Sequence, residues 1–176
     1  MYILTEVILV NENDEQIGTM EKMEAHQKGL LHRAFSIFIF NSKGELLLQK
    51  RAAGKYHNAG LWTNTCCSHP FPGEPVLNAA SRRLLEEMGF TTFLSPAFNF
   101  TYNATFDNGL TEHEYDHVFT GIYDGKITID KSEVSDYCFK NIDDIEFSLK
   151  MHSAKYTEWF KIALPQIKIF HKNAFS

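Results

Sequence analysis

Residues Glu74–Phe90 read EPVLNAASRRLLEEMGF. Pro75 suits the first position of a helix, where its missing N–H is one that the opening turn leaves unpaired anyway. Gly89 supplies a left-handed stop, so the spacing predicts one helix from Pro75 to Gly89. Leu77, Ala80, Leu84 and Met88 fall on one face and are expected in the core. Arg82, Arg83, Glu86 and Glu87 are expected away from it, as the i,i+4 pairs Arg82–Glu86 and Arg83–Glu87. A solvated charged face accounts for most runs of this kind. Two details ask for more. Adjacent acids in a last turn oppose the helix dipole, and the loop ahead of the helix carries the reactive set Cys67, Ser68 and His69.

Upstream, Glu6–Asn11 and His32–Phe40 read as strands, with a short helix Glu21–Lys28 between them that stops at Gly29. Asn41-Ser42-Lys43-Gly44 turns into a strand Glu45–Lys50. The loop 51–60 holds Arg51, Lys55 and His57, and Leu61–Cys66 is extended. Downstream, strands are expected at Ala97–Thr105 and Thr111–Tyr123, then Lys126–Ile129 after the Asp124-Gly125 turn, then Ser135–Lys140. Helices follow at Ile142–Lys150 and Ser153–Lys172, the second interrupted at Pro165. Hairpins outnumber strand–helix–strand crossovers, which indicates α+β: one mixed sheet with helices packed on its faces.

At 176 residues, with 44% hydrophobic and 22% charged residues, the chain fits one globular domain spanning residues 1–176. Its net charge of −5 argues against a nucleic-acid partner or an anionic membrane. The three Cys do not make a disulfide framework and point to a reducing compartment. Met1–Val10 lacks the pattern of a signal peptide, and no apolar run approaches a bilayer span, so a cytoplasmic location is expected.

Glu112, Glu114 and Asp116 alternate along one strand and so share a face. Their mutual repulsion is the kind a bound cation relieves. His113 and His117 point the other way. His26, His32 and His69 lie on other elements. Brought together with Glu112 and Glu114 they would form an N/O site suited to Zn²⁺, Mn²⁺ or Fe²⁺. Each of these residues singly is more commonly a surface or core side chain. Cys66 reads as a packing residue, and Cys67 as the thiol on the Ser68-His69 side. Cationic surroundings would depress its pKa and burial would raise it.

The spacing of the helix resembles the Nudix box, in which a Gly and a Glu precede Arg-Glu-apolar-x-Glu-Glu-x-Gly-apolar. Here Ser68 replaces the Gly and Arg83 replaces the metal-binding Glu. Glu74, Arg82, Leu84, Glu86, Glu87, Gly89 and Phe90 match. Loss of that Glu counts against pyrophosphatase chemistry but not against diphosphate binding, because Glu87 can still hold Mg²⁺. With Leu31–Ser36, Gln49–Ala52, TNTCCSHP over 63–70 and EHEYD over 112–116, the chain resembles the type 1 isopentenyl-diphosphate delta-isomerase family over roughly residues 4–160. The fold implied is a Nudix-like mixed sheet sandwiched between helices. The activity implied is interconversion of isopentenyl and dimethylallyl diphosphate. The resemblance also implies roles. Cys67 and Glu114 are the catalytic pair. His26, His32, His69, Glu112 and Glu114 hold one tight divalent metal, Mn²⁺ or Zn²⁺. Glu87 with the Cys67 carbonyl holds the Mg²⁺ that meets the diphosphate. Lys22, Arg51, Lys55 and Arg83 bind the diphosphate, and Tyr102 and Trp159 line the pocket. The implied partner is a small allylic or homoallylic diphosphate, with the enzyme a monomer or weak dimer.

Moving a double bond in this way adds a proton at C4 and removes one from C2, through a tertiary carbocation-like species. The site therefore needs an acid and a base, water exclusion, and an aromatic face to tolerate positive charge. Two rival readings are a Nudix hydrolase of a nucleoside or other diphosphate and a non-catalytic Nudix-like binding domain. The hydrolase wants the Glu that Arg83 replaces. The binding domain predicts loss of Cys67 or Glu114.

Overall fold

The computed structural model describes residues 5–55 and 58–174; His57 lies outside the described residues. In chain order the elements are β1 (Glu6–Val10), β2 (Gln16–Glu21), α1 (Lys22–Lys28), β3 (His32–Phe40), β4 (Leu46–Arg51), β5 (Trp62–Thr63) and β6 (Cys66–Ser68). Then come α2 (Val76–Met88), β7 (Ser95–Thr105), β8 (Thr111–Ile122), β9 (Val134–Lys140), α3 (Ile142–Met151), a short 3-10 turn and α4 (Glu158–Ala174).

β3 organises the sheet. It runs parallel to β8 along its whole length, from His32↔Glu114 to Phe40↔Ile122. Its other edge is shared in succession by β1 at His32, β6 at Phe35–Ile37 and β4 at Phe40, all antiparallel. A strand paired on both edges and covered on both faces has to be apolar throughout, and AFSIFIF is buried without a break. Phe35, Ile37 and Ile39 pack with Leu84 and Met88 of α2. Phe38 and Phe40 pack with Phe160 and Leu164 of α4. The sheet is therefore sandwiched, with α2 on one face and α3 and α4 on the other.

Three expectations need correction. Leu77 is 42% exposed, while Glu87, assigned to the wet face, is only 5% exposed. At about 100° per residue Glu87 lies about 20° around the helix from Ala80, in the centre of the core stripe. In the first turn Val76 packs against the core cluster. Lys126–Ile129 forms no strand. Its backbone laces instead to the end of α2, Thr128 N–H to Met88 O at 3.1 Å, while Ile127 and Ile129 pack onto the core. Pro165 lies inside α4 without ending it; the residue is exposed, so its ring faces outward. β2 is an element the sequence reading did not include. It is a strand with no buried residue, paired among the described residues with β1, and such a strand carries little apolar alternation.

Candidate active site and metal cluster

Strand alternation sorts the chemistry. Glu112, Glu114 and Asp116 are buried on one face of β8, with Val118 of the α4-side core next along that face. His113 and His117 face the other way, bonding to the Gly29 carbonyl and to Asp14. On β6 the two cysteines separate likewise. Cys66 enters the core under α2, and Cys67 turns to the α4 side.

His26 reaches the site because α1 ends at Gly29 in the left-handed conformation (φ 63°), and the chain returns at once into β3 with His32. His26, His32, His69 and Glu114 converge, one ligand atom of each lying within 4.8 Å of all the others. His32 Nδ1–H donates to the Leu30 carbonyl at 2.8 Å, which leaves Nε2 as a lone pair directed inward. That Nε2 stands 3.2 Å from His26 Nε2 and 3.5 Å from Glu114 Oε1. His69 Nε2 meets the same Glu114 oxygen at 2.8 Å. Inward-facing imidazole nitrogens around a carboxylate fit a divalent cation. Glu112 lies beside this group rather than in it, its Oε2 accepting from Tyr102 Oη at 3.2 Å; the same hydroxyl donates to Glu114 Oε2 at 2.7 Å.

The electrostatics follow from burial. It holds His26 down to about 3 and His69 to about 4, so both are neutral, metal-ready imidazoles at pH 7. Burial also pushes Glu112 up to about 8, with Glu114 adding to the effect. Burial alone would raise Glu114 too, but His69 and His32 on either side hold its carboxyl well below the usual range. For Cys67 burial outweighs Arg51 and raises the thiol, with Glu87 and Glu114 reinforcing it. The competition left open by the sequence is thus decided in favour of the protonated thiol.

Above the cluster lies a cleft of about 660 Å³, open to solvent. Cys67, His69, Glu112, Glu114, Tyr102 and Trp159 all line it. Lys22, Arg51, Lys55 and Arg83 line it as cations, beside Glu87. The Arg51 guanidinium sits 5.4 Å from the Trp159 ring centroid. Arg83 bonds Glu87 at 2.5 Å, and Arg82 bonds Glu86 at 3.4 Å, as the i,i+4 spacing required. Ser36, Gln49 and Asn64 were not singled out from sequence. Ser36 Oγ donates to Asp116, and Gln49 Nε2 donates to Glu87 Oε2 at 2.9 Å. Ser36 alone carried a signal, a polar residue inside the apolar run 34–40.

Residues 30–160 match the family model described as the NUDIX domain. Among solved structures, a Deinococcus radiodurans crystal structure superposes with a TM-score of 0.73 at 17% identity, covering 89% of this chain and 96% of that one. The MutT protein of Methanosarcina mazei does so at 0.67 and 22%, covering 81% and 96%. These are likenesses of fold. Fold and helix motif together define a NUDIX-domain protein. The isopentenyl-diphosphate Delta-isomerase of Pectobacterium atrosepticum is 53% identical over 164 residues, which are 93% of this chain and 92% of that protein. Isopentenyl-diphosphate Delta-isomerase 2 of Photorhabdus laumondii is 52% identical, covering 88% of each. The chain belongs to the isopentenyl-diphosphate Delta-isomerase family.

Proposed function

We propose that the protein interconverts isopentenyl diphosphate and dimethylallyl diphosphate. One observation carries the reading: a single cleft is lined by a thiol and a carboxylate, Cys67 and Glu114, by the Trp159 ring, and by four cations. Lys22, Arg51, Lys55 and Arg83 grip the diphosphate; Arg suits the task because its planar fork pairs phosphate oxygens. This anchoring turns the hydrocarbon tail toward Cys67 and Glu114. The thiol keeps its proton at Sγ because burial raises it, and Glu114 stays ionised between its histidines. One proton goes onto C4 and one leaves C2, with this pair, supported by Tyr102 Oη, handling both transfers. The Trp159 face stabilises positive charge at C3 by about 0.5–2 kcal/mol.

The metal assignments belong to the same proposal. His26, His32, His69 and Glu114, with Glu112 adjoining, would hold Mn²⁺ or Zn²⁺; bound there, the ion supplies fixed positive charge that orients Glu114 and tunes its basicity. Glu87 with the Cys67 carbonyl would hold Mg²⁺, which neutralises phosphate oxygens. We further propose a single-domain enzyme over residues 1–176, monomer or weak dimer, working in the cytoplasm on a small diphosphate without nucleic-acid or membrane partners. Among the described residues no helix is long and apolar enough to cross a membrane.

Incubation with isopentenyl diphosphate and Mg²⁺ in D₂O, followed by proton NMR, tests the function. Dimethylallyl signals with deuterium incorporation are expected. Release of phosphate or a monophosphate would instead indicate a hydrolase, and no change would indicate a binding domain.

A further inference from the structure

One acid that pairs with two of the cleft's cations belongs to none of the motifs. Glu133 lies just before β9, and its backbone is held between the two elements that present diphosphate-binding cations. The Ala52 N–H donates to the Glu133 carbonyl at 3.0 Å, on the side of the Lys55 loop. Asp130 N–H donates to the Glu87 carbonyl at 2.9 Å, and Glu133 N–H closes back on the Asp130 carbonyl at 3.0 Å, on the side of α2. From that position Oε2 pairs with Lys55 Nζ and Oε1 stands 3.5 Å from Arg83 Nη2. Arg83 is crowded with acids, Glu86 at 2.7 Å and Glu87 at 2.5 Å, yet its Nε is buried and without a hydrogen-bond partner among the described residues. Such a donor is free to bond a phosphate oxygen, and buried donors are normally paired.

We propose that Glu133 is an internal rival of the diphosphate: it occupies the Lys55/Arg83 subsite when the cleft holds no substrate, gives it up to a phosphate group on binding, and reclaims it as product leaves. The proposal rests on the diphosphate reading of the cleft. Its logic comes from the reaction. Substrate and product carry the same diphosphate, so cation–phosphate attraction is equal before and after the chemistry. Such uniform binding does nothing for the chemical step at saturation and holds the product as firmly as the substrate. Four cations that grip substrate and product alike also slow the departure of product. A carboxylate that competes for two of them lowers that grip without touching the reacting carbons.

The opposite role, a strut that holds Lys55 and Arg83 ready, predicts the opposite sign, so Glu133→Gln and Glu133→Ala decide between them. Inorganic pyrophosphate with Mg²⁺ is titrated calorimetrically into each protein, and KM and kcat are measured with isopentenyl diphosphate. Removing one unit of negative charge beside a multiply charged ligand should lower Kd for pyrophosphate by about tenfold in both variants. KM should fall in parallel, and the difference should shrink with added salt. Weaker or unchanged binding in a variant that melts like wild type overturns the proposal. Should Glu133→Gln fail to fold, the Glu133→Ala result decides by the same criterion. A wild-type protein that neither binds pyrophosphate nor isomerises substrate overturns the diphosphate reading itself. A wild type that does both, with variants that bind no tighter, overturns only the role of Glu133.

Discussion

Trp159 Nε1–H donates to Asn64 Oδ1 over 3.1 Å. The same oxygen accepts from Thr63 Oγ at 2.8 Å, and the Asn64 amide nitrogen donates to the carbonyls of Cys66 (2.8 Å) and Ile37 (3.1 Å). One fully buried amide thus ties the aromatic wall of the cleft, on α4, to the strand that carries Cys67 and to central β3. Asn64→Leu strips the indole of this acceptor and both carbonyls of this donor. Each buried polar group left short costs about 1–3 kcal/mol, so urea unfolding should show a loss of about 3 kcal/mol or more. Turnover should fall as well, because the Trp159 ring loses its anchor. A variant with wild-type stability and rate would show that the network does not position the ring.

Cys67→Ala and Glu114→Gln should each lower kcat by several orders of magnitude, since each removes a partner of the proposed proton transfer. Cys66→Ala should retain most of the activity and lose about 1–2 kcal/mol of stability, because Cys66 packs in the core under α2 and lies off the cleft. An inactive Cys66→Ala beside an active Cys67→Ala would reverse the assignment.

Glu112 carries the clearest pH signature. Burial raises its folded pKa to about 8, against an ordinary 4.5. Below 4.5 the residue is neutral in both folded and unfolded chains. Between 4.5 and 8 the folded chain keeps a proton that the unfolded chain releases, so stability falls as pH rises through that window, with a slope of up to about 1.4 kcal/mol per pH unit. Glu112→Gln removes that loss. In chelator-treated protein it should stabilise more at pH 8 than at pH 5, as read by urea unfolding at both values. Equal gains at the two pH values would contradict the buried, proton-holding carboxyl.

Chelation provides the complementary test. An ion bound only by the folded state stabilises it by about 4 kcal/mol at a thousandfold excess over Kd. A chelator should therefore lower the melting temperature and abolish activity together, and Mn²⁺ or Zn²⁺ should restore both. Glu114→Gln should lose more metal affinity than Glu112→Gln, because only Glu114 sits within the four-ligand group. His113→Ala should keep its metal, since His113 is turned to the Gly29 carbonyl on the other face of β8.

Where one physical rule dominates, the fold was legible in advance. β3 runs over His32–Phe40 as read, because an unbroken apolar run bounded by turns has few other uses. α2 ends at Gly89, whose φ of 74° is the left-handed stop expected. The faces of β8 followed from alternation alone. Legibility failed where burial is decided by a neighbour distant in sequence. Glu87 looked like half of a surface ion pair, and it does pair with Arg83, but Gln49 on β4 covers its other side. Nothing near Glu133 in the chain announces Lys55, which lies 78 residues upstream. The meeting of His26 with His69 and Glu114 depends on the sheet order. In the sequence reading only the resemblance joined them.

Glu87 distinguishes the two proposed metal positions. Glu87 lies on α2, away from the imidazoles. Its Oε2 accepts from Gln49 Nε2 at 2.9 Å, and its Oε1 pairs with Arg83. Gln49 is itself fixed, since its Nε2 also donates to the Thr65 carbonyl at 2.7 Å, so the amide sets the direction of the carboxylate. If Glu87 meets the Mg²⁺ on the diphosphate, Glu87→Gln should raise the Mg²⁺ concentration needed for half-maximal rate while tightly bound metal, measured by mass spectrometry, stays unchanged. Gln49→Leu should shift the Mg²⁺ requirement in the same direction by a smaller factor, because it leaves the carboxylate charged but unaligned. It should also cost about 1–3 kcal/mol of stability by removing the donor to a buried carboxylate. Loss of the tight metal from either variant would show that the Glu87 carboxylate and the histidine cluster form one site rather than two.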